Sequence, residues 1–163
     1  MPYTSDLEHE TDISVALFEN AFEAIARVPI GHDDEAKIQY SVMAGLITLP
    51  EETYGEGAME VSFEVVEISD ASPIYYCDGR ETKNFLVSEE RRKVLDIVCL
   101  AVHTLVERRN PKLITMSTKY GPTPKQALMK YELVSKTIRQ AGYVGGSADS
   151  YNDLDLWMFI RNA

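Results

Sequence analysis

The sequence predicts an α/β (α+β) fold, a mixed and mostly antiparallel sheet flanked by helices in one domain spanning residues 1–163. Three observations carry that expectation. From Met59 to Val65 apolar and polar residues alternate, which is the period of a half-buried strand. From Ser88 to Arg109 apolar residues recur at helical spacing, with Val94, Val98, Ala101, Val102, Leu105 and Val106 on one side. From Leu113 onward a short apolar run leads into a helix that starts at Thr123-Pro124 and ends on a left-handed stop at Gly142.

Taken in order, residues 1–10 read as a mobile, acidic N-terminus. A helix is expected from Thr11 to Val28, because Ile13, Leu17, Ala21, Ile25 and Val28 recur at three- and four-residue steps. Phe18 and Phe22 widen that stripe, Thr11 or Asp12 caps it, and Pro29 stops it. A polar turn, Gly31 to Glu35, leads into a strand from Ala36 to Ile47, where Ile38, Tyr40 and Val42 alternate with Lys37, Gln39 and Ser41. Pro50 to Gly57 reads as a loop. In the next strand Met59, Val61, Phe63 and Val65 face one way and Glu60, Ser62 and Glu64 the other. Val66 and Ile68 shift the phase, the sign of a bulge or a buried end.

Ile74–Cys77 and Asn84–Val87 read as a hairpin around Gly79. Ser88 then serves as N-cap of the long helix, Leu95, Ile97 and Leu100 make it apolar on most of its circumference, and Pro111 ends it. Lys112 to Ser117 is a short strand. In the helix from Thr123 to Ala141, the stripe Ala127, Tyr131, Val134, Ile138 and Ala141 turns inward. Gly145-Gly146-Ser147 is expected in a loop before a closing strand, Leu154 to Arg161. A strand–helix–strand unit gives parallel pairing and the hairpins give antiparallel pairing, so the sheet is mixed.

Composition narrows the function classes. At 163 residues and 45% hydrophobic content the chain can bury one sizeable core. No apolar run is long enough to cross a bilayer, and the first residues lack a basic segment followed by an apolar one. Those features predict a cytoplasmic protein without membrane association, in which Cys77 and Cys99 are reduced core thiols. Residues 1–70 hold 16 acids against Arg27 and Lys37, a net charge of −14, whereas residues 71–163 hold 14 bases against 10 acids, a net of +4. A nucleic-acid binder has the opposite overall sign, so direct nucleic-acid contact is not expected. The cations of the second half suit either a small anionic ligand or a solvated basic face. His32-Asp33-Asp34-Glu35 reads as a solvated loop with no second ligand cluster, so no metal is expected; His103 reads as a core histidine, and His9 lies in the acidic N-terminus.

The order of strand, buried helix, strand, helix with Ala127-x-x-x-Tyr131, and closing Gly142-Tyr143 resembles the acyl-CoA N-acyltransferase (GNAT) superfamily from roughly Met59 to Ile160. The resemblance implies an acetyl-CoA or other acyl-CoA cofactor, whose pyrophosphate sits on a glycine loop at the start of the central helix. It also implies a tyrosine, here Tyr131, that protonates the departing thiolate. The glycines of that loop are missing. In one register Leu95 and Ile97 stand where the glycines belong, in the other Val94 and Asp96, and Glu89 and Glu90 fill the first helical turn. A helix opened by its own carboxylates repels phosphate there.

Three readings follow. The first is a divergent GNAT-like binding or structural module with no cofactor, whose partner is a protein or a small molecule. The second is an acyltransferase that holds acyl-CoA through Arg91, Arg92 and Lys93 and through strand backbone at Phe85 and Val87, with Tyr131 as the acid. The third is an acidic protein whose first half engages a nucleic-acid-binding protein. The alternating strands Ala36–Ile47 and Leu154–Ile160 could be sheet edges that pair across a two-fold axis, as a homodimer.

Overall fold

In the computed structural model the described residues are 3–7, 13–70, 72–77, 79–118, 125–151 and 154–162. They form β1 (Thr4–Ser5), β2 (Ala16–Glu19), β3 (Glu23–Asp33), β4 (Ile38–Thr48), α1 (Glu51–Tyr54), β5 (Ala58–Ser69) and β6 (Ser72–Cys77). There follow α2 (Gly79–Phe85), α3 (Ser88–Arg109), β7 (Leu113–Ser117), α4 (Lys125–Gln140), β8 (Tyr143–Tyr151) and β9 (Leu154–Arg161). The strands make one mixed, mostly antiparallel nine-stranded sheet in the order β1-β3-β4-β5-β7-β9-β8, with β2 beside β3 and β6 beside β5. Only β5 and β7 pair in parallel among the described strands. No helix among the described residues is long and apolar enough to cross a membrane.

The core lies between one face of the sheet and the two long helices, which pack on each other as well as on the strands. Register explains which residues fill it. Ala24, Ala26 and Val28 of β3 stand directly opposite Leu46, Ala44 and Val42 of β4, and all six are buried. Directly opposed residues share a face, so this row continues into Val61 and Val65 of β5. α3 answers with Val94, Ile97, Val98, Ala101, Val102, Leu105 and Val106, and α4 with Val134 and Ile138. Burying one such aliphatic side chain contributes about 1.5–3 kcal/mol, so this packing dominates the stability. Leu100 remains exposed and Leu95 only partly covered, so α3 buries one face rather than most of its circumference.

Several expected elements are corrected. The helix expected from Thr11 to Val28 is, over its described part, the hairpin of β2 and β3. Asn20 turns the chain: its side-chain oxygen accepts from the amides of Phe22 and Glu23 at 2.8 and 3.0 Å, an Asx turn in mid-stripe. Pro29 does not stop a helix; it sits where the β3–β4 ladder slips between Pro29 and Gly31, a bulge that tolerates a residue without an amide hydrogen. Thr11 and Asp12 lie outside the described residues, as do Thr123 and Pro124. In the N-terminal segment expected to be mobile, β1 pairs with Gly31 and His32, and the Tyr3 hydroxyl donates to the Ile30 carbonyl at 3.0 Å.

The hairpin expected over 74–87 exists only in its first arm. β6 pairs back on β5, and the second arm is α2, whose end bonds from the Leu86 amide to the Thr82 carbonyl at 2.9 Å. The loop expected at Gly145-Gly146-Ser147 is the middle of β8, paired along β9. As a result β9 is an interior strand between β7 and β8, and β4 is interior between β3 and β5. The two strands expected as edges are therefore not edges. Among the described strands the edges are β1 and β2 on one side and β8 on the other, and β6 is paired on one side only, with β5.

The remaining boundaries follow from local chemistry. α3 spans Ser88–Arg109 as expected; it ends because Asn110 adopts the left-handed conformation (φ 48°) before Pro111. Gly142 (φ 101°) ends α4, and the buried Tyr143 hydroxyl donates to the Pro111 carbonyl at 2.6 Å, tying β8 to the end of α3. His103 is not a core residue: it lies on the flank of α3, half-exposed, 3.2 Å from Glu107.

Candidate functional site

The parallel junction of β5 and β7 is short. Ala58, Met59 and Glu60 pair with Leu113, Ile114 and Thr115, and there the ladder ends. Farther along, β9 is the strand that pairs with β7 among the described residues, and β5 turns its Val65–Ser69 end to β6. Two parallel strands that part after three residues leave a cleft that side chains or a ligand must fill.

Aromatic side chains line it on the helix side. Tyr131 comes from α4, Trp157 from β9 and Phe63 from β5. Tyr131 stacks on Trp157 with centroids 4.9 Å apart and planes 10° from parallel, and it tilts against Phe63 at 5.4 Å. Trp157 is buried, and its indole nitrogen donates to Glu132 at 3.4 Å. Burial first, and the Asp155 charge second, raises the Tyr131 hydroxyl above the usual tyrosine range, so it holds its proton more firmly. Of this trio, only Tyr131 stood out in the sequence; the signal for Trp157 was its alternation with Phe159 in the closing strand.

The start of α3 differs from expectation. Ser88 does not cap it. Val87 occupies the N-cap with extended backbone, and no side chain among the described residues bonds the first-turn amides. The Ser88 hydroxyl instead accepts from the Arg91 guanidinium at 3.0 Å. Arg91 is partly buried, and its Nε has no hydrogen-bond partner among the described residues. Arg92 and Lys93 are exposed, as are Val87 and Glu89, while Glu90 is partly covered.

The expectation that strand backbone at Phe85 and Val87 flanks this start is corrected as well. Phe85 is the last residue of α2, so its backbone belongs to a helix, and Val87 is in the two-residue link to α3. The Phe85 ring packs on Tyr40 (4.6 Å) and Tyr3 (5.4 Å), and Tyr3 meets Tyr40 edge-on at 5.3 Å. Burial pushes the Tyr3 hydroxyl up to about 12, with the nearby Glu90 carboxylate adding to the rise. The N-terminal segment is thus packed beside the opening of α3. Arg91, Arg92, Lys93, Phe85 and Val87 are brought together there by sequence proximity, on a helix start bearing two carboxylates.

Glu60 and Glu64 lie on the face of β5 opposite Phe63, as expected. Glu60 spans the parallel junction on that face, where it accepts from the Ser117 hydroxyl at 3.5 Å. No family model, no curated protein and no solved structure matches the chain.

Proposed function

We propose that this chain is a GNAT-like binding or structural module that engages a protein partner and has no acyl-CoA site. Support for the GNAT-like part comes from element order: β5, then β6 and the short α2, the apolar α3, β7, α4 carrying Ala127-x-x-x-Tyr131, then Gly142-Tyr143 opening the closing hairpin. The single observation that carries the non-catalytic part is the aromatic stack. Phe63, Tyr131 and Trp157 use the space opened by β5 and β7 for packing, and the Tyr131 ring lies between the other two. A tyrosine held this way serves the core, and its firmer proton makes it a weaker acid for a departing thiolate. A cytoplasmic setting belongs to the same reading, supported by the unpaired Cys99 thiol packed against the core.

One observation favours the acyltransferase reading instead. The first-turn amides of α3 lack a side-chain cap, and the buried Nε of Arg91 lacks a described partner; both are groups that a pyrophosphate could satisfy. Glu89 and Glu90 oppose it. Calorimetric titration with acetyl-CoA separates the two. The binding-module reading expects no heat of binding up to about 1 mM ligand, the top of the range in which enzymes hold substrates. Saturable binding that Arg91→Ala abolishes would establish the acyltransferase site.

A further inference from the structure

The face of the sheet away from the helices carries a depression with a defined rim. Register places Phe18, Ile25, Gly45 and Ser62 in one row across β2, β3, β4 and β5. Gly45 has no side chain and Ser62 a small one, so the row dips in the middle. The depression holds about 190 Å³ and is walled by Ile25, Met43 and Ile47. Phe18 is 57% exposed and Ile47 47%, large apolar side chains left in water on a strand face. The volume lies below the roughly 300 Å³ at which small-molecule sites begin, and suits a single large side chain.

The neighbouring rows supply the charge. Glu23 and Glu60 flank Ile47 on one side, and Glu64 lies across from Met43 on the other, with Arg27 as the cation of that row. Among the described residues of these rows, three carboxylates stand against one guanidinium, which gives this apolar patch an acidic rim. A second copy of the chain would set like charges against one another, which disfavours self-pairing through this face.

We propose that the Gly45–Ser62 depression receives one large apolar anchor residue of a basic partner protein, whose flanking lysines or arginines meet Glu23, Glu60 and Glu64. The assignment deepens the binding-module reading and rests on it. Apolar anchors in small desolvated pockets, ringed by complementary charge, are how compact interfaces concentrate their affinity.

The test uses the intact chain and a fluorescein-labelled amphipathic peptide with leucine on one helical face and lysine on the other. Fluorescence anisotropy is expected to show saturable binding. Ser62→Phe fills the depression without altering charge and should weaken that binding at least about tenfold. The double change Glu23→Lys with Glu64→Lys should do the same, while Glu51→Lys with Glu52→Lys on α1 should leave it within about twofold. Circular dichroism verifies that each variant folds. Absence of binding, an unaltered Ser62→Phe, or equal loss from the α1 pair overturns the assignment. So does sedimentation that shows a dimer which Ser62→Phe dissociates, since that gives the face to a second copy. Acetyl-CoA calorimetry on the same sample separates the failures: inert acetyl-CoA with no peptide binding removes only this surface, whereas acetyl-CoA binding removes the underlying reading.

Discussion

The Tyr131 ring lies 4.9 Å from that of Trp157 and 10° from parallel with it, joining α4 to β9 where β5 and β7 have parted. This contact joins the last hairpin to the rest of the core. Trp157→Ala removes a buried side chain and is expected to cost about 3–5 kcal/mol by urea denaturation. Tyr131→Ala should cost less, about 2–3 kcal/mol, because Tyr131 is only partly buried. A double-mutant cycle between them should return a coupling of about 0.5–1.5 kcal/mol. A coupling near zero would mean that the stack is incidental.

The glycines of β8 are predicted to be unequal. Gly145 has φ 148°, and a Cβ there would be driven into the Met158 carbonyl of β9. Gly146 has only the Arg139 guanidinium near its Cβ position, at 3.7 Å. Gly145→Ala should therefore cost about 2 kcal/mol or more, and Gly146→Ala under about 1 kcal/mol. Thermal unfolding of the two variants side by side checks the contrast; equal losses would contradict the register of β8 on β9.

These glycines also mark where the sequence was hard to read. A Gly-Gly-Ser run signals a loop, and only pairing with β9 reveals a strand, because that pairing is a property of the sheet and not of the run. The stretch from Ile13 to Val28 fits two periods at once. Ile13, Leu17, Ala21, Ile25 and Val28 fit a helix, while Ala24, Ala26, Val28 and Ile30 fit a strand. Burial of the second set, and the Asx turn at Asn20, decide for the hairpin. By contrast α3, β5, β7, α4 and β9 were legible, since each carries a run of one clear period, β5 as far as Val65, and most end at a Pro, Gly or Asn. Of the cleft, Tyr131 was legible from its helical stripe. Phe63 and Trp157 were not, because their meeting depends on where two strands diverge.

His32 should make stability depend on pH near neutrality. Its Nδ1 lies 2.9 Å from Asp6 and its Nε2 3.7 Å from Asp34, with Asp33 also nearby. The bond to Asp6, aided by these charges, raises the imidazole pKa above its ordinary value. A raised folded-state pKa contributes stability fully below the unfolded value, about 6.5, and that contribution is lost as pH rises through the folded one. The urea midpoint of the wild type should therefore fall, relative to His32→Gln, as pH is raised from about 6 to 8. Identical profiles for the two proteins would show that the β1 segment is not held by this pair.

Trp157 is the one tryptophan of the chain, and it stands inside the cleft, so its emission reports directly on whatever enters there. Titrating acetyl-CoA while following that emission is the most direct test. With the space already occupied by Phe63, Tyr131 and Trp157, the spectrum should stay unchanged to millimolar ligand. A saturable shift or quench at sub-millimolar acetyl-CoA would mean that the stack opens to a cofactor, and would contradict the account.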